Sequence, residues 1–245
     1  AVGVCFDGDD ELAVIGGGSG GLACAQRAAE DGARVVVIEA ARLGGTCVNV
    51  GCVPKKVMWN AAELAAGLED AAEYGFALDV RGLDFAALKG KRDAYVARLN
   101  DIYASNLGKR GVALIRGHAR LAGAHEIAIG GRTILAERIV IATGGRPQRA
   151  QFPGGEHCID SDGFFELSAL PARTLVAGSG YVAVELAGIL AGLGSRVTLA
   201  IRFDRVLRSF DTMLGDGAMQ GLRDAGVEIV TGATAASLAR RKSAL

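Results

Sequence analysis

Proline and aromatic residues are scarce in this chain of 245 residues: it has 4 prolines, and aromatic side chains make up 5% of the sequence. An excess of either charge is also missing, since 27 lysines and arginines balance 27 acidic residues. A neutral chain of this kind does not indicate nucleic acid or an anionic membrane as a partner. We therefore expect neither partner.

Long apolar runs and regularly spaced cysteines are lacking too. The closest candidate for a membrane span, residues 175–193, contains Glu185 and several glycines, so it is better interpreted as a strand, a turn and a helix. Residues 1–11 carry four acidic side chains and no basic one, which is not typical of a secretory signal. The 5 cysteines do not predict a disulfide framework. A reducing, cytoplasmic location is expected.

Glycine, in contrast, is abundant, with 36 residues and no low-complexity repeat. This composition favours glycine-lined ligand loops and close packing of helices on strands. An apolar run at 12–15 leads into such a loop, an alanine-rich helical pattern follows, and a second apolar run at 34–39 ends in Glu39. The order strand, helix, strand and acid is that of a dinucleotide-binding unit, in preference to an ordinary glycine-rich turn. Its G-x-G-x-x-G glycines are Gly16, Gly18 and Gly21.

A second unit of the same kind begins with the strand 174–177. It continues with a G-x-G-x-x-A turn, a helix from Tyr181 and a strand at 196–201. Arginines, including Arg202 and Arg208, follow that strand where the first unit has an acid. An acid there binds a free ribose 2′-hydroxyl, whereas arginines accommodate a 2′-phosphate. The second unit therefore favours NADP(H), the alternative being that the arginines are simply solvated.

Two cysteines, Cys47 and Cys52, lie between a Gly-Gly pair and a proline, ahead of a helical pattern. A disulfide across so short a loop gains little stability, so it suits reversible opening better than stapling. A helix starting near Cys52, with Lys55 close by, would favour a thiolate there. Zinc is disfavoured because no second ligand pair follows at suitable spacing, and no metal site is expected. Two unrelated buried thiols would leave the flanking glycines unexplained. A redox-active pair is the preferred interpretation.

The remaining pattern completes an α/β chain. It predicts two Rossmann-like dinucleotide-binding units, arranged in three layers, with a small antiparallel β-meander inserted in the first. We expect a first domain at 1–150, containing the dithiol, and an incomplete second domain at 151–245. Further predicted elements are helices at 61–73, 85–107 and 213–225, strands at 112–116, 137–142 and 227–231, a meander at 121–135, a linker at 146–155 and a tail without a clear element at 233–245.

Two nucleotide units and one dithiol describe an electron relay. Thiols accept electrons poorly from a nicotinamide directly, so a flavin is expected between them. Glu185 lies early in the second nucleotide-binding helix, where a buried acid would need a partner. A pair between Lys55 and Glu185 at the junction of flavin and nicotinamide would explain both residues; the alternative is that Glu185 is simply exposed.

Specific stretches carry a family resemblance over nearly the whole chain to about Val230. They are GGTCVNVGCVPKKVMW (44–59), IVIATGGRP (139–147), IDSDGFF (159–165), GSGYVAVELAG (178–188) and VLRSFD (206–211). The sequence resembles the pyridine nucleotide–disulfide oxidoreductases, and within them the branch that reduces glutathione disulfide. Two lysines after Cys52 separate it from dihydrolipoamide dehydrogenase and mercuric reductase, which typically read Pro-Ser-Lys.

The resemblance implies an NADPH-dependent flavoprotein that reduces glutathione disulfide. Cys52 is similar to the thiol beside the flavin and Cys47 to the thiol that attacks the substrate. Tyr181 is similar to a gate over the flavin, and Tyr103 to a residue lining the glutathione site. Lys55 and Glu185 complete the expected catalytic set. The positions expected to contact FAD are Gly16, Gly18, Ser19, Gly20, Gly21, Glu39, Gly45, Thr46, Cys47, Lys55, Ala119, Thr143 and Gly144. Those expected to contact NADPH are Gly178, Ser179, Gly180, Val182, Glu185, Arg202 and Arg208.

The sequence also departs from the family pattern. Gln26 replaces a substrate-binding arginine of some members, and Phe203 replaces a histidine beside the phosphate-binding arginine. The family's chains are longer, and the interface domain that carries the general acid in a homodimer is expected to be absent here. The alternatives are a truncated, catalytically deficient nucleotide-binding remnant, or a relative such as trypanothione reductase or dihydrolipoamide dehydrogenase.

Overall fold

The computed structural model describes residues 10–240. Two segments lie outside the described residues: 1–9, which is part of the stretch considered for a signal, and 241–245, which is the end of the predicted tail. The strands are β1 Asp10–Ile15, β2 Val35–Glu39, β3 Ala113–Arg116, β4 Ala119–Gly123, β5 Glu126–Ile129, β6 Arg132–Ile141, β7 Arg173–Ala177, β8 Arg196–Ala200 and β9 Glu228–Val230. The α-helices are α1 Ser19–Glu30, α2 Gly45–Val50, α3 Cys52–Asp70, α4 Phe85–Lys109, α5 Ser161–Glu166, α6 Tyr181–Gly192 and α7 Thr212–Asp224. Short 3₁₀ turns cover Ala71–Tyr74 and Gly155–His157. No helix in this range is long and apolar enough to cross a membrane.

The described residues pack as two compact units. The first comprises 10–54 and 93–146, and the second 55–92 and 147–240. The sequence-based domains placed 55–92 in the first domain, and the structure differs there because these residues pack within the second unit. A Cβ on Gly192 of α6 would lie 2.8 Å from Cβ of Ala62 in α3. Buried Arg92 donates a 2.6 Å hydrogen bond to the carbonyl oxygen of Phe165 in α5.

A mixed sheet forms the centre of the first unit, with the strand order β3-β2-β1-β6-β5-β4 among the described residues. The strands β3, β2, β1 and β6 are parallel, whereas β5 is antiparallel to both β4 and β6. The sequence predicted two separate strands here, the last strand of the meander at 121–135 and a sheet strand at 137–142. In the structure, they form one continuous strand, β6. Leu135 pairs with β5 and the next residue, Ala136, pairs with β1, so one strand joins the meander to the parallel sheet.

Two hydrophobic clusters define the layers of this unit. Alternate residues of β1 point to opposite faces, with Ala13 in one cluster and Val14 in the other. The Ala13 cluster contains meander residues such as Ile127, so the meander folds over that face. The Val14 cluster contains Leu22 from α1 and Leu107 from α4. The predicted three-layer α/β arrangement with an inserted meander is thereby confirmed.

Three parallel strands in the order β7-β8-β9 form the sheet described for the second unit, with α6 and α7 as the crossover helices. The predicted second β–α–β–α–β pattern is confirmed. Helix α5 was not predicted, although its first turn is capped by Asp160, whose carboxylate accepts hydrogen bonds from the amides of Asp162 and Gly163. Residues 142–154 contain no helix or strand, in agreement with the predicted linker at 146–155.

Candidate functional site: two glycine turns and a dithiol

The first glycine turn is shaped by two close backbone approaches. Gly16 has φ +111, and a Cβ there would lie 2.2 Å from the carbonyl oxygen of Ala142. A Cβ on Gly21 would lie 1.8 Å from the carbonyl oxygen of Gly16. Because both obstacles are backbone atoms, no larger residue fits either position. The turn thus lets α1 start directly above the end of β1.

The N-terminus of α1 is open to a ligand. Gly18 caps the helix in an extended conformation and offers no side-chain acceptor for the first amide groups. Ser19 and Gly20 at this end are exposed, and a Cβ on Gly20 would meet no atom within 4 Å. Amide groups at a helix start attract phosphate through their partial positive charge. These residues therefore fit the pyrophosphate of a dinucleotide such as FAD.

Glu39 ends β2, as predicted, and its carboxylate is fixed by the backbone. One oxygen accepts a 2.6 Å hydrogen bond from the amide of Gly17, and the other accepts one of 2.6 Å from the amide of Ala41. The side chain is half-buried. The acid is therefore held at the glycine turn in the position of the ribose-binding residue of such units.

The cysteine segment is docked on this turn. The amide of Gly44 donates a 2.8 Å hydrogen bond to the carbonyl oxygen of Gly17, and Gly18 and Gly44 form a parallel β-bridge. A Cβ on Gly45 would lie 2.7 Å from the Cα of Gly18. The Gly-Gly pair ahead of Cys47 thus permits a backbone contact that a side chain would block.

Cys47 and Cys52 lie together, as predicted. Cys47 is in α2 and Cys52 is the first residue of α3; both are free thiols, and their side chains lie close enough to interact. The Ser19 side chain lies beside the Cys47 thiol. Burial raises the pKa of the Cys47 thiol, and the neighbouring Cys52 raises this pKa further. Cys47 is half-buried and Cys52 exposed. Which thiol attacks a substrate stays a prediction.

An asparagine pair that sequence reasoning missed holds this segment. The Asn49 amide donates hydrogen bonds of 3.0 Å to the Leu43 carbonyl and 2.9 Å to the Gly45 carbonyl. Asn100 of α4 donates to the Leu43 carbonyl at 2.8 Å and to the Asn49 side-chain oxygen at 3.1 Å. The pair connects α2 to a helix about fifty residues away in the chain. Neither asparagine carries a local sequence signal for this contact.

The raised pKa of Cys47 leads to a prediction about pH. In the reduced protein, alkylation of Cys47 by iodoacetamide should accelerate as pH rises, with a midpoint above that of an ordinary thiol, because the thiolate is the reactive form. Cys52→Ser should lower the midpoint, since a hydroxyl cannot carry the neighbouring negative charge. Peptide mass spectrometry separates Cys47 from the exposed control Cys158. A midpoint below the ordinary thiol value would contradict the prediction.

Other predicted contact residues of the first unit are dispersed around the sheet. Thr143 and Gly144 follow the end of β6 after Ala142, and the Thr143 backbone lies beside the Gly16 turn. Ala119 begins β4 and is half-buried. Thr46 is exposed in α2. Tyr103 packs against the Val14 cluster, and no described contact joins its side chain to either cysteine. Its role toward a substrate stays a prediction.

The second glycine turn repeats the design of the first. Gly178 has φ +145, and a Cβ there would approach the Ala183 methyl group at 3.3 Å. Gly180 caps α6 without a side-chain acceptor. Ser179, Gly180 and Tyr181 line a cleft of about 260 Å³ together with Phe203 and Arg208. The open helix start and the arginine make this cleft suitable for a phosphorylated nucleotide.

The predicted arginines converge on a single aromatic ring. The guanidinium carbon of Arg202 lies 4.6 Å from the centre of the Phe203 ring, and that of Arg208 lies 3.7 Å from it. Arg205, between them in sequence, instead lies beside the start of α7, where a Cβ on Gly215 would approach its Cδ at 2.8 Å. The structure therefore brings together the two arginines that the sequence selected.

Lys55 and Glu185 form the predicted pair. Lys55 Nζ donates to Glu185 Oε1 at 2.6 Å, and the two side chains are 26% and 35% exposed. Glu185 therefore has the partner that the sequence predicted, and its side chain remains partly exposed. Tyr181 and Val182 are exposed at the start of the same helix, one turn before Glu185. No described group of three or more His, Cys, Asp or Glu residues could hold a metal ion.

The family model described as "Pyridine nucleotide-disulphide oxidoreductase" matches residues 10–245. The chain belongs to this family. A glutathione reductase from Schizosaccharomyces pombe is 49% identical over 227 residues, covering 89% of this chain and 49% of the relative. A glutathione reductase from Yarrowia lipolytica is 49% identical over 233 residues, covering 89% and 50%. The chain spans about half the length of these curated relatives.

A solved structure has a similar fold. The HOCl-induced flavoprotein disulfide reductase RclA from Escherichia coli has a TM-score of 0.80 and 29% identity, covering 93% of this chain and 50% of that chain. The pyridine nucleotide–disulphide oxidoreductase fold predicted from the sequence is confirmed. The cofactor and substrate roles of individual residues stay predictions.

Proposed function

We propose that this chain takes part in the NADPH-dependent reduction of glutathione disulfide, with FAD on the first unit and NADPH on the second. The observation that carries the proposal is the neighbouring pair of thiols Cys47 and Cys52, in a segment docked on the first glycine turn. Similarity to two curated glutathione reductases over 89% of the chain supports the choice of substrate. The homodimer that the resemblance implies for full-length members of the family and the cytoplasmic location expected from the cysteine pattern belong to the same proposal.

The residues of the dithiol supply the sulfur chemistry. Bound FAD would supply the means of passing two electrons from a nicotinamide to the disulfide. The Cys47 thiolate attacks one sulfur of glutathione disulfide, so a mixed disulfide forms and one glutathione thiolate leaves. The Cys52 thiolate then attacks Cys47, which releases the second glutathione and restores the Cys47–Cys52 disulfide. The substrate gains two electrons and the dithiol loses them.

The ion pair has a role suited to this exchange. A carboxylate 2.6 Å from Lys55 Nζ holds the ammonium group in one orientation. An oriented cation stabilises negative charge that develops on a flavin or a thiolate. We propose this role for Lys55, with Glu185 as its positioning partner.

The proposal is tested by NADPH oxidation in the presence of glutathione disulfide. Trypanothione disulfide and lipoamide serve as competing acceptors, and NADH serves as competing donor. Highest turnover with NADPH and glutathione disulfide supports the proposal. Preference for another disulfide would assign the chain to a different branch of the family, and a protein that binds both nucleotides without turnover would favour a deficient remnant.

The arginine assignment gives a separate prediction. Replacing Arg202 and Arg208 together with glutamine should raise the KM for NADPH about a hundredfold, because two charge-assisted hydrogen bonds to the 2′-phosphate are lost. The KM for NADH should change less than about threefold on the same argument. Arg223→Gln, at an exposed position at the end of α7, is the matched control. Equal losses for both nucleotides would refute the phosphate assignment.

A further inference from the structure

The ring of Phe203 contacts two arginines that form no ion pair with a described acid. Among residues 10–240, no acidic side chain is within ion-pair distance of Arg202 or Arg208. Each guanidinium group gains attraction from the electron-rich face of an aromatic ring. The ring of Phe203 is therefore the described group that stabilises both cations in this arrangement.

The backbone also fixes the direction of Arg208. Leu207 is the one non-glycine residue among those described that has positive φ, at 52°. A left-handed leucine is strained and persists because its surroundings hold it. Its amide donates a 2.8 Å hydrogen bond to the Ser179 carbonyl in the second glycine turn, and its carbonyl accepts one of 2.8 Å from the Phe210 amide. Arg208 thus leaves the backbone at a position tied to that turn.

We propose that Phe203 is a positioning residue that sets the preference of this cleft for nucleotides with a 2′-phosphate. It restrains Arg202 and Arg208 against one ring before the ligand arrives, so less side-chain freedom is lost when a phosphate dianion binds them. The inference rests on the proposed use of the second unit for NADPH. It adds a residue that carries no charge and donates no hydrogen bond to phosphate.

The experiment is calorimetric titration of the purified protein with 2′,5′-ADP and with ADP, which lacks the 2′-phosphate. Phe203→Leu keeps an apolar side chain but removes the aromatic face, and it should weaken 2′,5′-ADP binding about five- to thirtyfold. ADP binding should stay within about twofold, since neither arginine is needed for it. Phe203→Tyr retains the face and should stay within about threefold of the original protein for both nucleotides.

Phe76→Leu, an exposed phenylalanine outside the cleft, is the matched control, and thermal unfolding of each variant checks the fold. A selective loss in Phe203→Leu that Phe203→Tyr does not share supports the inference. Equal weakening of both nucleotides, or no change for either, overturns it while leaving the NADPH assignment intact. If the original protein does not prefer 2′,5′-ADP to ADP, the NADPH assignment fails, and the inference fails with it.

Discussion

Cys47→Ser and Cys52→Ser should each lower turnover with glutathione disulfide by a factor of about a thousand or more. The two thiols act as one unit, because neither can form the internal disulfide without the other. The double variant should therefore be no slower than either single variant. Cys158→Ser is the matched control, since Cys158 is an exposed cysteine of the second unit. Steady-state NADPH oxidation gives the comparison.

The same variants test which thiol attacks the substrate. Reduced Cys52→Ser protein, mixed with glutathione disulfide, should accumulate one glutathione on Cys47, because the resolving thiol is missing. Cys47→Ser should accumulate the adduct more slowly. Intact-protein and peptide mass spectrometry measure the adduct and its position. Faster trapping in Cys47→Ser would reverse the two assignments, and unchanged turnover in both variants would remove the dithiol from the mechanism.

Gly21→Ala should be the most damaging change in the first glycine turn. The added methyl group would lie 1.8 Å from the carbonyl oxygen of Gly16, so α1 has to move away from β1. We expect the free energy of unfolding to fall by about 3 kcal/mol or more, with loss of bound flavin. Urea unfolding and flavin absorbance measure the two effects.

Gly108→Ala is the control for this change. It is a helical glycine of the same unit, and an added Cβ would meet no atom within 4 Å. It should be neutral or stabilise the protein by up to about 1 kcal/mol through helix propensity. Wild-type stability in Gly21→Ala would show that α1 tolerates displacement, and would contradict the packing account of the glycine motif.

The parts of the fold predicted from the sequence are those that local patterns determine. Both β–α–β units have apolar strands, glycine turns and alanine-containing helices, and these signals lie within about thirty residues of one another. The proximity of Cys47 and Cys52 could be predicted because they are five positions apart between a Gly-Gly pair and a proline. The two arginines could be predicted because they follow the strand at the position where such units bind the ribose. The contact between Lys55 and Glu185 could be predicted because a partly buried acid on a helix needs a partner of opposite charge.

The features that were missed depend on partners distant in the chain. Helix α2 has the sequence GTCVNV, with two valines and a threonine that favour strands, and it forms where Asn49 and Asn100 bind the adjacent carbonyls. Strand β6 is continuous because its first half pairs with β5 and its second half pairs with β1. Since β1 is distant in the chain, the local sequence around β6 does not show this pairing. Residues 55–92 were assigned to the first domain because chain order alone did not show that Ala62 packs beside Gly192.

Gly17 makes two of the hydrogen bonds described for the first unit at once. Its amide binds the carboxylate of Glu39, and its carbonyl accepts the amide of Gly44, three residues before Cys47. Gly17 therefore connects two parts of the predicted site: Glu39, the acid that would bind the ribose of the adenosine, and the loop that leads to Cys47. The contact to Gly44 joins main-chain atoms, whereas the contact to Glu39 is lost when its carboxylate is removed, so a change at Glu39 alters the hydrogen bonding of the residue on which the cysteine segment is docked. Cofactor retention and thiol reactivity should consequently fail together.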